Sequence, residues 1–133
     1  MADFEHARAL LRMAHKDFNA LTGMLDKALF ADEIFGFHVQ QAVEKALKAW
    51  LCAYDVIYPP THDLARLLTL LEKAGADIEE FWPLVQFTIF AVQARYEEGL
   101  TELDEPIDRA AEIQNVSDLL TRVEKLIVAK SLG

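Results

Sequence analysis

A chain of 133 residues that is 53% hydrophobic is long enough to bury a core of its own, and it is predicted to form a single domain over residues 1–133. Its formal net charge of -9 excludes the broad basic stripe through which proteins bind DNA or RNA by counterion release, so any nucleotide contact has to be local. The acidity is uneven, with 10 acids against 8 bases in residues 1–73 and 12 against 5 in residues 74–133.

The lone cysteine, Cys52, has no partner for an intramolecular disulfide, which suits a reducing compartment. The opening MADFEHARAL mixes charges with apolar residues and lacks the apolar core of a signal peptide. No window reaches the roughly 18 uncharged apolar residues of a membrane span. The expectation is a cytoplasmic protein without a membrane segment.

In chain order, Phe4, Ala7, Leu11, Ala14, Phe18, Leu21 and Leu25 recur at alternating spacings of 3 and 4, which draws an apolar stripe along a helix predicted over about 3–28. Phe35, Val39, Ala42, Val43, Ala46, Trp50 and Ala53 repeat that period and predict a second helix over about 32–54, after which Pro59 and Pro60 break the chain. Thr61 is predicted to cap a short third helix with Leu64, Leu67, Leu68 and Leu71 on its core face, ended by Gly75 in a left-handed conformation.

The run from Phe81 to Ala94 is apolar nearly all round, so it is predicted as a fourth helix that is central in the bundle or buried between subunits, with Pro83 in its first turn. The acidic stretch from Glu97 to Glu105 reads as a loop. Asp104 and Pro106 mark the start of a last helix whose buried stripe is Ile113, Val116, Leu120, Val123 and Ile127. The fold class is therefore all-α, a single bundle of about five helices.

Three places carry candidate chemistry. His38, Gln41, Lys45 and Lys48 follow one another at spacings of 3, 4 and 3 along the second helix, forming a polar, cationic edge able to receive a phosphate or a partner's carboxylate. The plain alternative is a solvated face with Glu44 and Lys48 as an ordinary i, i+4 pair. His62 opens the third helix, where first-turn N–H groups attract anions; alternatively, it only packs against its loop. Arg95 and Tyr96 end the apolar fourth helix and offer a guanidinium and a stacking face, or a helix-end arginine set against the dipole.

Other chemistries fail on spacing. A di-metal bundle needs paired Glu-x-x-His segments, and none of the four histidines has a glutamate three residues before it. One cysteine cannot build a cysteine zinc site, and five scattered glycines form no phosphate loop. Cys52 has no evident histidine partner that would make it a catalytic thiol. No catalytic residue, metal or cofactor is expected.

FHVQQAVEKALKAWL, then THDLARLL beyond a proline loop, then an apolar helix ending in ARY, together resemble the HEPN family over nearly the whole chain. The most specific part joins Gln41, Glu44, Lys45 and Lys48 to Thr61, His62, Asp63 and Leu64; the first and last helices match only in length and apolar spacing. The resemblance implies an up-and-down helical bundle like that of nucleotidyltransferase substrate-binding subunits. It also implies a frequent homodimer and a partnership with a minimal nucleotidyltransferase, sometimes as a toxin–antitoxin pair.

Some members resemble one another in a late Arg-x(4–6)-His motif that forms a metal-independent RNase site between two subunits. This sequence departs from that pattern, because Arg95 is followed by YEEGLTELDEP and no histidine occurs after His62. Arg8 and His15 match formally, but on the first helix, and composition alone gives roughly half a match by chance. The leading expectation is a nucleotide-binding or partner-binding subunit using His38, Gln41, Lys45, Lys48, His62, Arg95 and Tyr96. The alternatives are an RNase toxin with a rearranged site, using His38 or His62 with Arg95, and a purely structural dimeric module. RNA is the partner that the RNase alternative implies.

Overall fold

Asp3, Ala31, Asp63 and Asp108 each precede a helix in the computed structural model, which describes residues 1–91 and 105–133. The helices are α1 (Phe4–Thr22), α2 (Asp32–Ala53), α3 (Leu64–Lys73) and α4 (Arg109–Leu132). A 3-10 helix over Glu79–Phe90 lies between α3 and α4. The described residues therefore hold five helical elements and no strand, and the all-α expectation holds.

The caps follow from side-chain chemistry. Asp3 accepts from the His6 N–H at 2.9 Å, Asp63 accepts from Ala65 N–H at 3.0 Å, and Asp108 accepts from Ala111 N–H at 3.1 Å. Each satisfies first-turn donors that the helix itself leaves unpaired. Two predicted boundaries therefore move. Thr61 does not cap α3; its hydroxyl instead accepts from Asp63 N–H at 3.1 Å and orders the capping residue. α4 begins after Asp108, not at Asp104 and Pro106. Gly75 has φ +94 and ends α3 as its sequence implied.

α1 also stops earlier than its apolar period suggests. Beyond Gly23, the Asp26 carboxylate accepts from Ala28 N–H at 2.9 Å and from Leu29 N–H at 3.3 Å. This side-chain turn competes with helix propagation and leaves Leu25 56% exposed. The connection is held from the far end of the chain by Arg109, which is 3% exposed. One guanidinium nitrogen donates to Met24 O at 2.7 Å, and the other donates to Phe30 O at 2.7 Å and to the Asp32 carboxylate at 2.9 Å.

Pairs between elements give the helix directions. Cys52 reaches Asp3 O, whereas Lys45 and His38 reach Asp17, so α1 and α2 run antiparallel. Arg109 touches the start of α2 and Lys130 lies 4.4 Å from the Tyr54 ring centroid beyond its end, so α4 runs parallel to α2. α2 packs against all the other elements and buries Phe35, Val39, Val43, Leu47, Trp50 and Leu51, each such side chain stabilising by about 1.5–3 kcal/mol.

The apolar fourth element differs from its prediction. Its buried residues are Phe81, Leu84, Phe87 and Phe90, a strict period of three that matches the 3-10 helix rather than the α-helix. Pro83 is inside the element, where an α-helical turn would drive its ring into the Glu79 carbonyl. With three residues per turn, one face enters the core while Trp82 remains 47% and Ile89 41% exposed. The centre of the bundle is thus α2, and the 3-10 helix lies against it.

α2 makes room for this helix at Gly36, where a Cβ would stand 2.5 Å from Phe90 Cγ. Thr88 ties the same helix to α3 by accepting from Leu64 N–H at 3.2 Å. Arg122 of α4 donates to Asp77 O at 3.2 Å and pairs with Glu80 at the other end.

Candidate functional site

The predicted cationic edge of α2 resolves into two acid-centred clusters. In the first, Asp17 of α1 is bonded by His38 Nδ1 at 3.0 Å and by Lys45 Nζ at 2.6 Å. In the second, Glu44 of α2 accepts from Gln40 Nε2 at 2.9 Å, from His62 Nδ1 at 2.8 Å and from Lys48 Nζ at 3.0 Å. Gln41 donates to Gln40 Oε1 at 2.7 Å and completes that chain of polar groups.

Glu44 is the centre of the arrangement. Burial opposes its ionisation, but the hydrogen bonds from Gln40, His62 and Lys48 and the Lys48 charge outweigh that cost and hold its carboxyl below the ordinary value of 4.5. The Glu44–Lys48 pair is therefore not a solvated i, i+4 pair, since the two side chains are 8% and 13% exposed. Gln40 extends the same function, also donating to His62 O at 3.1 Å. Backbone and ring of His62 are both anchored on α2.

An ionised carboxylate only accepts, so Nδ1 of His62 carries the proton in this bond. That leaves Nε2 as the other ring nitrogen of a side chain that is 57% exposed. A carboxylate that orients an imidazole in this way fixes its tautomer, which is useful for ligand binding and for proton transfer alike. Beyond Lys48 the network continues over the Tyr58 ring, 5.3 Å from the lysine nitrogen, to a 2.6 Å contact between Tyr58 OH and His6 Nε2.

Of the predicted site residues, His38, Gln41, Lys45, Lys48 and His62 therefore fall on one edge of α2 and the start of α3. Their polar ends are not free: His38 and Lys45 are held by Asp17, and Lys48 and His62 by Glu44. Arg95 and Tyr96 lie outside the described residues. Sequence reasoning passed over Asp17, Gln40, Tyr58 and His6. Asp17 had a signal, because it sits three residues after Ala14 and four before Leu21, on the buried stripe of α1, where a carboxylate needs a partner.

Cys52 carries no sign of a reactive thiol. Burial first, and then the charges of Asp3 and Asp55, push its titration up, and its sulfur lies 3.1 Å from Asp3 O. No group of three or more His, Cys, Asp or Glu among the described residues is placed to hold a metal ion. No helix among them is long and apolar enough to cross a membrane.

One pair set aside on its sequence position does meet in space. Arg8 and His15 line a groove between α1 and α4 together with Leu11, Arg12, Glu124, Ile127 and Val128.

Comparison with curated proteins and with solved structures gives no match to this chain. The family model of the HEPN domain matches residues 7–131. That span runs from the first turn of α1 to the last turn of α4 and includes both acid-centred clusters, so the chain belongs to the HEPN domain family.

Proposed function

We infer that this HEPN domain is a binding subunit that receives a nucleotide, or a small nucleotidyltransferase acting on one, along the α2 edge and His62. The observation that carries this reading is the buried Glu44, which draws Gln40, Lys48 and His62 from two helices into one fixed set of donors and acceptors. Ordered polar groups held in advance cost little to organise when a ligand arrives. With Asp17 and Glu44 balancing the cations, the edge offers directed hydrogen bonds instead of a bare positive field. That character favours a compact ligand or a protein surface over a long polyanion.

In this reading the half-exposed outer face of the 3-10 helix, with Trp82, Val85 and Ile89, is covered by a second copy of the chain. The family's frequent pairing with a minimal nucleotidyltransferase, in some cases as a toxin–antitoxin couple, supplies the partner. Arg95 and Tyr96, which follow the 3-10 helix in sequence and lie outside the described residues, stay candidates for contact with the ligand by residue type alone.

Thermal unfolding of the purified protein with and without ATP, GTP, CTP or UTP tests the nucleotide arm, and co-purification with a minimal nucleotidyltransferase from the same organism tests the partner arm. A nucleotide is expected to raise Tm, with Lys45→Ala/Arg95→Ala and His62→Ala abolishing the rise. If no nucleotide raises Tm and no such partner co-purifies, the reading is wrong.

A further inference from the structure

Arginines in this chain have contrasting surroundings. Arg109, buried in the bundle, and Arg122, on its surface, are each tied to carbonyls and carboxylates. Arg8 and Arg12, one helical turn apart on α1, make no ion pair or hydrogen bond among the described residues, and neither does His15 a further turn along. All three face the groove between α1 and α4, whose cavity volume is about 250 Å³. Side chains at these spacings project from one face of a helix, so two guanidinium forks and an imidazole share one opening.

The rest of the groove is different in character. Its floor is apolar, formed by the buried Leu11 and Ile127 with the more exposed Val128, and Glu124 stands in the α4 wall. In a chain of net charge -9, Arg8 and Arg12 are an arginine pair beside an apolar floor, without a carboxylate partner among the described residues. Arginine forks match phosphate oxygens in bidentate geometry, and two of them with an imidazole suit a dianion better than a single carboxylate. Leu11, Ile127 and Val128 would take an apolar or aromatic body, and the Glu124 carboxylate can accept from a hydroxyl or amino group on it.

We propose that the α1/α4 groove is a binding site for a small organic phosphomonoester, with Arg8, Arg12 and His15 on the phosphate and the Leu11, Ile127 and Val128 floor under its apolar body. The volume lies just under the roughly 300–1,000 Å³ of typical small-molecule sites, so the occupant is a phosphate with about one ring rather than a dinucleotide or a folded RNA. The site goes beyond the binding surface inferred on α2 and shares no residue with it.

Isothermal titration calorimetry with phenyl phosphate, inorganic phosphate and phenol separates the two halves of the ligand. Phenyl phosphate is expected to bind saturably and more tightly than inorganic phosphate, and phenol not to bind. Arg8→Gln/Arg12→Gln should weaken phenyl phosphate by about tenfold or more, the loss expected when charge-assisted hydrogen bonds are deleted. His62→Ala should leave this binding unchanged while abolishing any response at the α2 edge, so the two sites succeed or fail separately. Arg8 and Arg12 are exposed, and an unchanged circular dichroism spectrum verifies that the double variant folds. Absence of saturable binding, equal affinity for inorganic phosphate, or binding indifferent to the arginine substitutions would each overturn the proposal.

Discussion

Replacing Glu44 by glutamine keeps its shape and removes its charge, which isolates what the carboxylate does. In the native chain it accepts three hydrogen bonds, at 2.8 Å from His62, 2.9 Å from Gln40 and 3.0 Å from Lys48. An amide has one acceptor oxygen and one N–H₂ donor, so Glu44→Gln turns a donor toward at least one of these three donors. It also leaves Lys48, 13% exposed, without its counter-ion. Breaking a buried pair costs roughly 3–5 kcal/mol, and the exposure of His62 favours the lower end. About 3 kcal/mol corresponds to a fall in Tm on the order of 10 °C for a domain of this size.

The acid dependence has a definite sign. The folded-state carboxyl titrates below its ordinary value of 4.5, so the stability it contributes is complete above the unfolded value and is lost as pH falls through the lower folded value. Circular dichroism melts of wild type and Glu44→Gln between pH 7 and pH 3 should show a gap that is widest at neutral pH and narrows below about pH 4.5. A variant as stable as wild type at pH 7, or a gap that does not change with pH, would refute the central role given to this carboxylate.

Two further substitutions test the scaffold around the site. Arg109→Lys replaces a fork that reaches Met24 O, Phe30 O and Asp32 at once with a single ammonium, and should destabilise by about 3 kcal/mol; hydrogen exchange should then show residues 23–31 opening first. Gly36→Ala gains about 1 kcal/mol of helix propensity but sets a methyl group 2.5 Å from Phe90 Cγ, an overpacking cost of about 1–3 kcal/mol. The net effect is a lower urea midpoint. Phe90→Leu in the same chain should recover part of the loss, giving a coupling that a double-mutant cycle measures.

Most of the fold was legible because α-helices announce themselves by period. Ala7, Leu11, Ala14 and Leu21 of the α1 stripe, the α2 stripe, the leucines of α3 and Val116, Leu120 and Val123 of α4 are buried as their spacings imply, whereas Leu25, beyond the end of α1, is exposed. Boundaries were read less well where a polar side chain decided them, as at Asp26, Asp63 and Asp108. The 3-10 helix was misread because an apolar run shows no contrast, so its three-residue period was hidden until burial separated Phe81, Leu84, Phe87 and Phe90 from Trp82 and Ile89.

The candidate site was half legible. Its cations stood out on α2 by their regular spacing, and His62 by its place at a helix start. Their counter-charges were legible only in part: Glu44 pairs with Lys48 by its i, i+4 spacing, but Asp17 is 21 residues from His38 and Glu44 is 18 residues from His62, and single-chain periodicity says nothing about which helix faces which. Sequence alone determined an all-helical chain with a polar seam along its second helix. Only the tertiary structure decided that α2 is the centre of the bundle, that Lys45 and Lys48 are paired with Asp17 and Glu44, and that Arg8 and Arg12 have no such partner among the described residues. The reason is that charge partners are chosen by helix packing, which is set by the summed burial of the whole core and not by any local pattern.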